Sequence, residues 1–200
     1  MRKFVVLLLI GLMITGAKTL AQDKDVLENQ IIRLHVVGQS DTAEDRNIKL
    51  QVKNAVVAYL NAHIPQNLDV AGVREYLSRH LHEIQNVANE AVITAGGNTI
   101  TAVSLKQEEF PRRDYDTFSL PAGVYESLRV TIGSGEGKNW WCVVFPSLCV
   151  SASTEEYKNM ATGAGFSNGL VAATAGEGPC EIRFFLLECL GRLENFFHFG

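Results

Sequence analysis

Apolar and polar positions change their period along this chain, and the changes predict both strands and helices. From Ile31 to Val37, Ile32, Leu34 and Val36 alternate with Arg33, His35 and Val37, the pattern of a strand. Gly38-Gln39-Ser40-Asp41 then turns the chain. Beyond the turn, Ile48, Val52, Ala55, Val56, Tyr59 and Leu60 recur at helical spacing, and Pro65 closes that helix. Ser40 or Asp41 is positioned to cap it, and Glu44 and Asp45 fall in its first turn, where carboxylates meet free backbone N–H groups. A second helix is predicted from about Val70 to Ala95, with Val73, Tyr76, Leu77, Leu81, Ile84, Val87, Ala88 and Val92 on a broad stripe. Gly96-Gly97 ends it, and Ile100 to Leu105 returns as a strand.

The chain is organised around Arg129 to Cys149. Leu128, Val130 and Ile132 alternate with Arg129 and Thr131, a glycine-rich turn follows, and Cys142-Val143-Val144-Phe145 forms a second apolar run stopped by Pro146. This predicts two adjacent strands joined by a tight exposed loop. Gly133, Gly135 and Gly137 supply positive φ or close approach, and Lys138 and Asn139 give the loop polar faces. Strand alternation sends Trp140 and Trp141 to opposite faces, one to the core and one towards solvent or a partner. Gly135, Gly137, Lys138, Asn139, Trp140 and Trp141 are therefore the candidate partner interface, against the plainer reading of two packed rings and against sugar stacking.

Elsewhere the signal is weaker. Lys106 to Thr117 reads as an excursion or edge strand, and Phe118 to Gly123 as a turn. Ser151 to Glu156 suits a short helix start, 157–180 shows no sustained period and reads as a mobile connection, and Glu181 to Leu190 suits a last strand or short helix. The fold this predicts over 31–200 is a compact α+β single domain with a mostly antiparallel sheet flanked by two long helices.

The first 21 residues change the picture of location. Arg2 and Lys3 precede the apolar run Phe4 to Ile14, and Thr19-Leu20-Ala21 offers small residues at the two positions a signal peptidase inspects. They read as a signal peptide, with 22–30 a polar lead. Removing them leaves 15 basic against 22 acidic residues, a charge of -7, which argues against nucleic-acid binding. Export makes Cys142, Cys149, Cys180 and Cys189 candidates for two disulfides. Three complete pairings exist; Cys142 with Cys149 is preferred, with Cys180–Cys189 completing the set, and the alternative is that one or more are small buried apolar side chains.

No catalytic pattern stands out. Ser40, Asp41 and His35 hold the residue types of a triad, but the first two are better explained as a cap. Cys142 with His35 or His63 suits a thiol nucleophile only if reduced. Asp41, Glu44 and Asp45 hold metal-ligand chemistry that first-turn electrostatics already explains. The loop GSGEGK does not match the spacing of a phosphate-binding loop, and no serine or threonine follows Lys138. No cofactor or metal is expected.

Two blocks carry a family resemblance: IRLHVVGQSDTAEDRNIKLQVKNAV at Ile31 to Val56, and LPAGVYESLRVTIGSGEGKNWWCVVFPSLC at Leu120 to Cys149. Together with the export signal they resemble stage II sporulation protein R of endospore-forming bacteria. Gln39 departs from the asparagine expected before Ser40-Asp41, and the stretch after Cys149 adds little. The resemblance implies a signal rather than an enzyme, exported from the forespore into the space between the two membranes around it. There it would act on the extracytoplasmic part of a membrane-embedded aspartic protease, which matures an early mother-cell sigma-factor precursor. Peripheral membrane or cell-wall contact fits the same location, and a peptidoglycan-binding or peptidoglycan-hydrolysing protein is the competing reading.

Overall fold

A computed structural model describes residues 2–149, 153–177 and 181–198. The chain divides into two compact units: one of Gln30–Glu108 with Tyr125–Ala152, the other of Met1–Asn29, Glu109–Val124 and Ser153–Gly200.

The first unit is built on a four-stranded sheet of β1 (Ile32–Val37), β2 (Thr101–Phe110), β5 (Gly123–Ile132) and β6 (Asn139–Phe145), in the order β2-β5-β1-β6. β1 runs parallel to β5 and antiparallel to β6, so the sheet is mixed rather than mostly antiparallel. The predicted hairpin is also corrected, because β1 lies between β5 and β6. All six β1 residues are buried, including Arg33 and His35, and a strand buried along both faces belongs in a sheet's interior. The loop from β5 to β6 must therefore step across one intervening strand, about 10 Å at two strand spacings.

α2 (Ala43–His63), α3 (Val70–Arg79) and α4 (Leu81–Thr94) supply the apolar stripes that meet Ile32, Leu34, Val36, Leu128 and Val130 in one core. Val52, Val56, Leu77, Ile84 and Ala88 are the buried positions of those stripes. Two long flanking helices are not what forms: the predicted second helix is split at His80, whose φ of -110° and ψ of 18° end α3 and start α4. The His80 imidazole Nδ1 meets the Tyr76 carbonyl at 2.7 Å and supports the break. The α2 cap is Thr42, not Ser40 or Asp41; its hydroxyl accepts from the Asp45 N–H at 3.1 Å. Glu44 and Asp45 occupy the first turn.

The second unit holds α1 (Arg2–Asn29), the ribbon of β3 (Arg113–Asp114) and β4 (Ser119–Leu120), α5 (Thr154–Gly163), α6 (Asn168–Thr174) and α7 (Glu181–His198). Helices thus occupy much of the stretch without sustained period, because serines start them: Ser153 makes a capping box with Glu156, and Ser167 accepts from the Leu170 N–H. Tyr157 is buried, stacks on Phe118 at 4.6 Å and shares a hydrogen bond with Thr174; burial pushes its phenol up to about 12. α7 is a helix of 18 residues, longer than the strand or short helix predicted there.

The last turns of α1 carry the polar lead. Asp23 is ion-paired with Arg183, and Lys24 meets Glu194 at 2.8 Å. No helix among the described residues is long and apolar enough to cross a membrane. Burial, together with a hydrogen bond shared with Glu194, pushes the Glu28 carboxyl up to about 7, outweighing Lys24. Its value in the folded chain lies above the ordinary 4.5, so the folded state holds the extra proton and stability falls as pH rises from about 4.5 to about 7. Glu28→Gln should flatten that slope, read as a smaller difference between melting temperatures at about pH 5 and about pH 8.

Candidate partner-binding site

The glycine loop is held down rather than free. Gly133 and Gly135 take positive φ, 57° and 68°, and turn the chain over the end of β1. There the loop meets the Gly38–Asp41 turn strand-to-strand in miniature: the Glu136 N–H donates to the Gln39 carbonyl at 3.3 Å and the Gly137 N–H to the Gly38 carbonyl at 2.8 Å. The Lys138 N–H donates to the Asp41 carboxylate at 2.8 Å, and the Lys49 ammonium to the Lys138 carbonyl at 2.5 Å. Asp41 thus fastens this loop instead of capping α2, while Ser40 bonds Asp45.

Gly137 is buried, and a Cβ there would lie 2.5 Å from the Ser40 carbonyl oxygen. Gly137→Ala should therefore push the two turns apart, costing about 1–3 kcal/mol and exposing the loop to proteolysis. A melting temperature and protease sensitivity equal to wild type would contradict the clamp.

Downstream of the clamp, the exposed Lys138 and Asn139 lead into β6, an edge strand. Trp140 and Trp141 are both half-buried and lie on different sides of the sheet. Trp140 packs on the apolar core, with the Lys53 ammonium 5.0 Å from its ring centroid. Trp141 stacks on His35, ring centroids 5.6 Å apart and 23° from parallel.

His35 is the centre of a polar cluster that sequence reasoning did not assemble. The register sets it beside Arg129 on β5 and Trp141 on β6. Its Nδ1 meets the Glu108 carboxylate at 3.1 Å and its Nε2 the Asn139 amide oxygen at 2.9 Å. The other Glu108 oxygen accepts from Arg129 at 2.6 Å, and Arg129 also reaches the Thr131 hydroxyl at 3.0 Å. Burial pushes the Glu108 carboxyl up, but hydrogen bonds from His35 and Arg129 outweigh it and hold it at about 2. The signal for this cluster was present: Arg33 with His35 and Arg129 with Thr131 place polar residues two apart on neighbouring strands. A second buried face then needed an opposite charge, and Glu108 supplies it.

The candidate nucleophiles are engaged elsewhere. Cys142 is disulfide-bonded to Cys149, with Cα atoms 5.3 Å apart, so it is no thiol base-partner. Ser40 and Asp41 are engaged in the turn contacts and not with His35. Cys189 carries no disulfide among the described residues, and Cys180 lies outside them. Asp41, Glu44 and Asp45 do not converge; among the described residues no group of three or more histidine, cysteine or acidic side chains is placed to hold a metal ion. What the cluster does is fix the Trp141 ring from beneath, beside an exposed polar loop that is itself clamped.

The family model described as stage II sporulation protein R matches residues 28–155, which include every residue of the clamp and the cluster. The chain belongs to the stage II sporulation protein R family. It is 32% identical over 151 residues to the stage II sporulation protein R of Bacillus subtilis (strain 168), covering 73% of this chain and 67% of that relative. No solved structure matches it. Within this family member, the matched span ends at the start of α5, so α6 and α7 lie beyond it.

Proposed function

We propose that this chain is an exported forespore-to-mother-cell signal that activates a membrane-embedded aspartic protease and so triggers maturation of an early mother-cell sigma-factor precursor. The observation that carries the reading is family membership across the whole sheet unit. The basic-apolar N-terminal segment supports export, and the Cys142–Cys149 disulfide suits an oxidising space outside the cytoplasm. On this reading the protein works by binding rather than by chemistry. Lys138, Asn139 and Trp141 meet the extracytoplasmic part of the protease, and the bound form favours the protease's active dimer or conformation. A rigid surface suits that task, since a ligand shifts an equilibrium only by its difference in affinity for the two states.

The experiment is precursor processing in membranes that contain the protease, with and without the purified exported protein. Processing that depends on added protein is the expected result. No processing, in membranes where the Bacillus subtilis relative works, overturns direct activation. Digestion or pull-down of purified cell wall in the absence of the protease would favour the peptidoglycan reading instead.

A further inference from the structure

α7 is apolar on two opposite sides. One side is buried, with Phe184 and Leu187 inside and Glu188 accepting the Ala122 N–H at 2.7 Å. The other side carries Ile182, Phe185, Leu186 and Leu193, which are 71%, 64%, 44% and 55% exposed, and Phe196 continues it at 72%. Several large apolar side chains along one helix face exceed the scattered exposure usual on a monomer, and such a stripe favours being covered.

The spacing indicates the cover. Ile182, Leu186, Cys189, Leu193 and Phe196 follow one another in steps of four, three, four and three, the seam of a left-handed coiled coil. A lipid surface needs no such repeat and is favoured by free cations at its edge. On α7, Arg183 is ion-paired with Asp23 and Arg192 with Glu188, and the chain's net charge is -4. In a parallel pair of copies, Phe185 of one would flank Leu190 of the other, and Arg183 and Arg192 would not meet their counterparts. The stripe therefore complements itself without like-charge repulsion. It also lies outside residues 28–155, the span the family model matches.

We propose that α7 is a self-association helix, its exposed stripe packing against the same stripe of a second copy. This stands independently of protease activation. The exported protein, sedimented across the micromolar range, should run as a dimer. Leu186→Glu combined with Leu193→Glu should weaken the dimer at least about 100-fold while leaving the circular dichroism spectrum unchanged. Should that double variant unfold, Ile182→Lys, at an exposed seam position, should weaken the dimer with the fold intact. A wild-type protein that stays monomeric overturns the proposal, as does a dimer that survives every folded stripe variant. Binding of monomers to phosphatidylglycerol–phosphatidylethanolamine vesicles, lost in the stripe variants, would overturn it in favour of a lipid partner.

Discussion

Glu108→Ala should destabilise the sheet unit by about 3 kcal/mol, because it leaves the half-buried Arg129 guanidinium and the buried His35 ring without the carboxylate both contact. Glu108 is 9% exposed, so water does little to screen the loss. Both tryptophans belong to this unit, so the change is read directly as an earlier fluorescence transition in urea. The charge itself has a separate signature in acid. Glu108 is held at about 2, below the ordinary 4.5, so its contribution is complete above about 4.5 and is lost as pH falls towards 2. Glu108→Gln preserves the shape and should remove that acid-dependent part of the unfolding free energy. An unchanged stability–pH curve between about 4.5 and 2 would show that the carboxylate is not held by its partners.

Trp141→Ala should reduce signalling at least about 10-fold while costing only about 1–2 kcal/mol, since the ring is half-exposed and rests on His35 rather than in the apolar core. Trp140→Ala should do the reverse. Its ring packs on the core beside Lys53, so truncation should lower the melting temperature more than it lowers activity at permissive temperature. Measuring precursor processing and melting for the two variants side by side distinguishes a contact residue from a structural one. Equal losses of processing that simply track stability would remove Trp141 from the interface.

The local elements were legible where period and punctuation agree. Ile32, Leu34 and Val36 mark β1, the Ile48 to Leu60 stripe marks α2, and Gly96-Gly97 ends α4. Pairing was not legible, because alternation in β5 and β6 says nothing of a third strand lying between them. The clue was chemical: Arg33 and His35 in a short apolar strand imply a second buried face, which an edge or hairpin partner does not supply. The break at His80 was hidden because Tyr76, Leu77, Leu81 and Ile84 keep one continuous stripe through it. The candidate site was visible as a loop with two tryptophans. Its support was not, since Glu108 lies 31 positions before Asn139 and Asp41 lies 97 before Lys138.

On the proposed function, the clamped loop and Trp141 touch the protease. A photo-crosslinking side chain at Lys138, which is exposed and fixed only through its backbone, tests that contact in sporulating cells. A crosslink to the extracytoplasmic part of the protease, lost when Trp141→Ala is added, is the expected result. An exported variant that still triggers precursor processing but forms no such crosslink would contradict it.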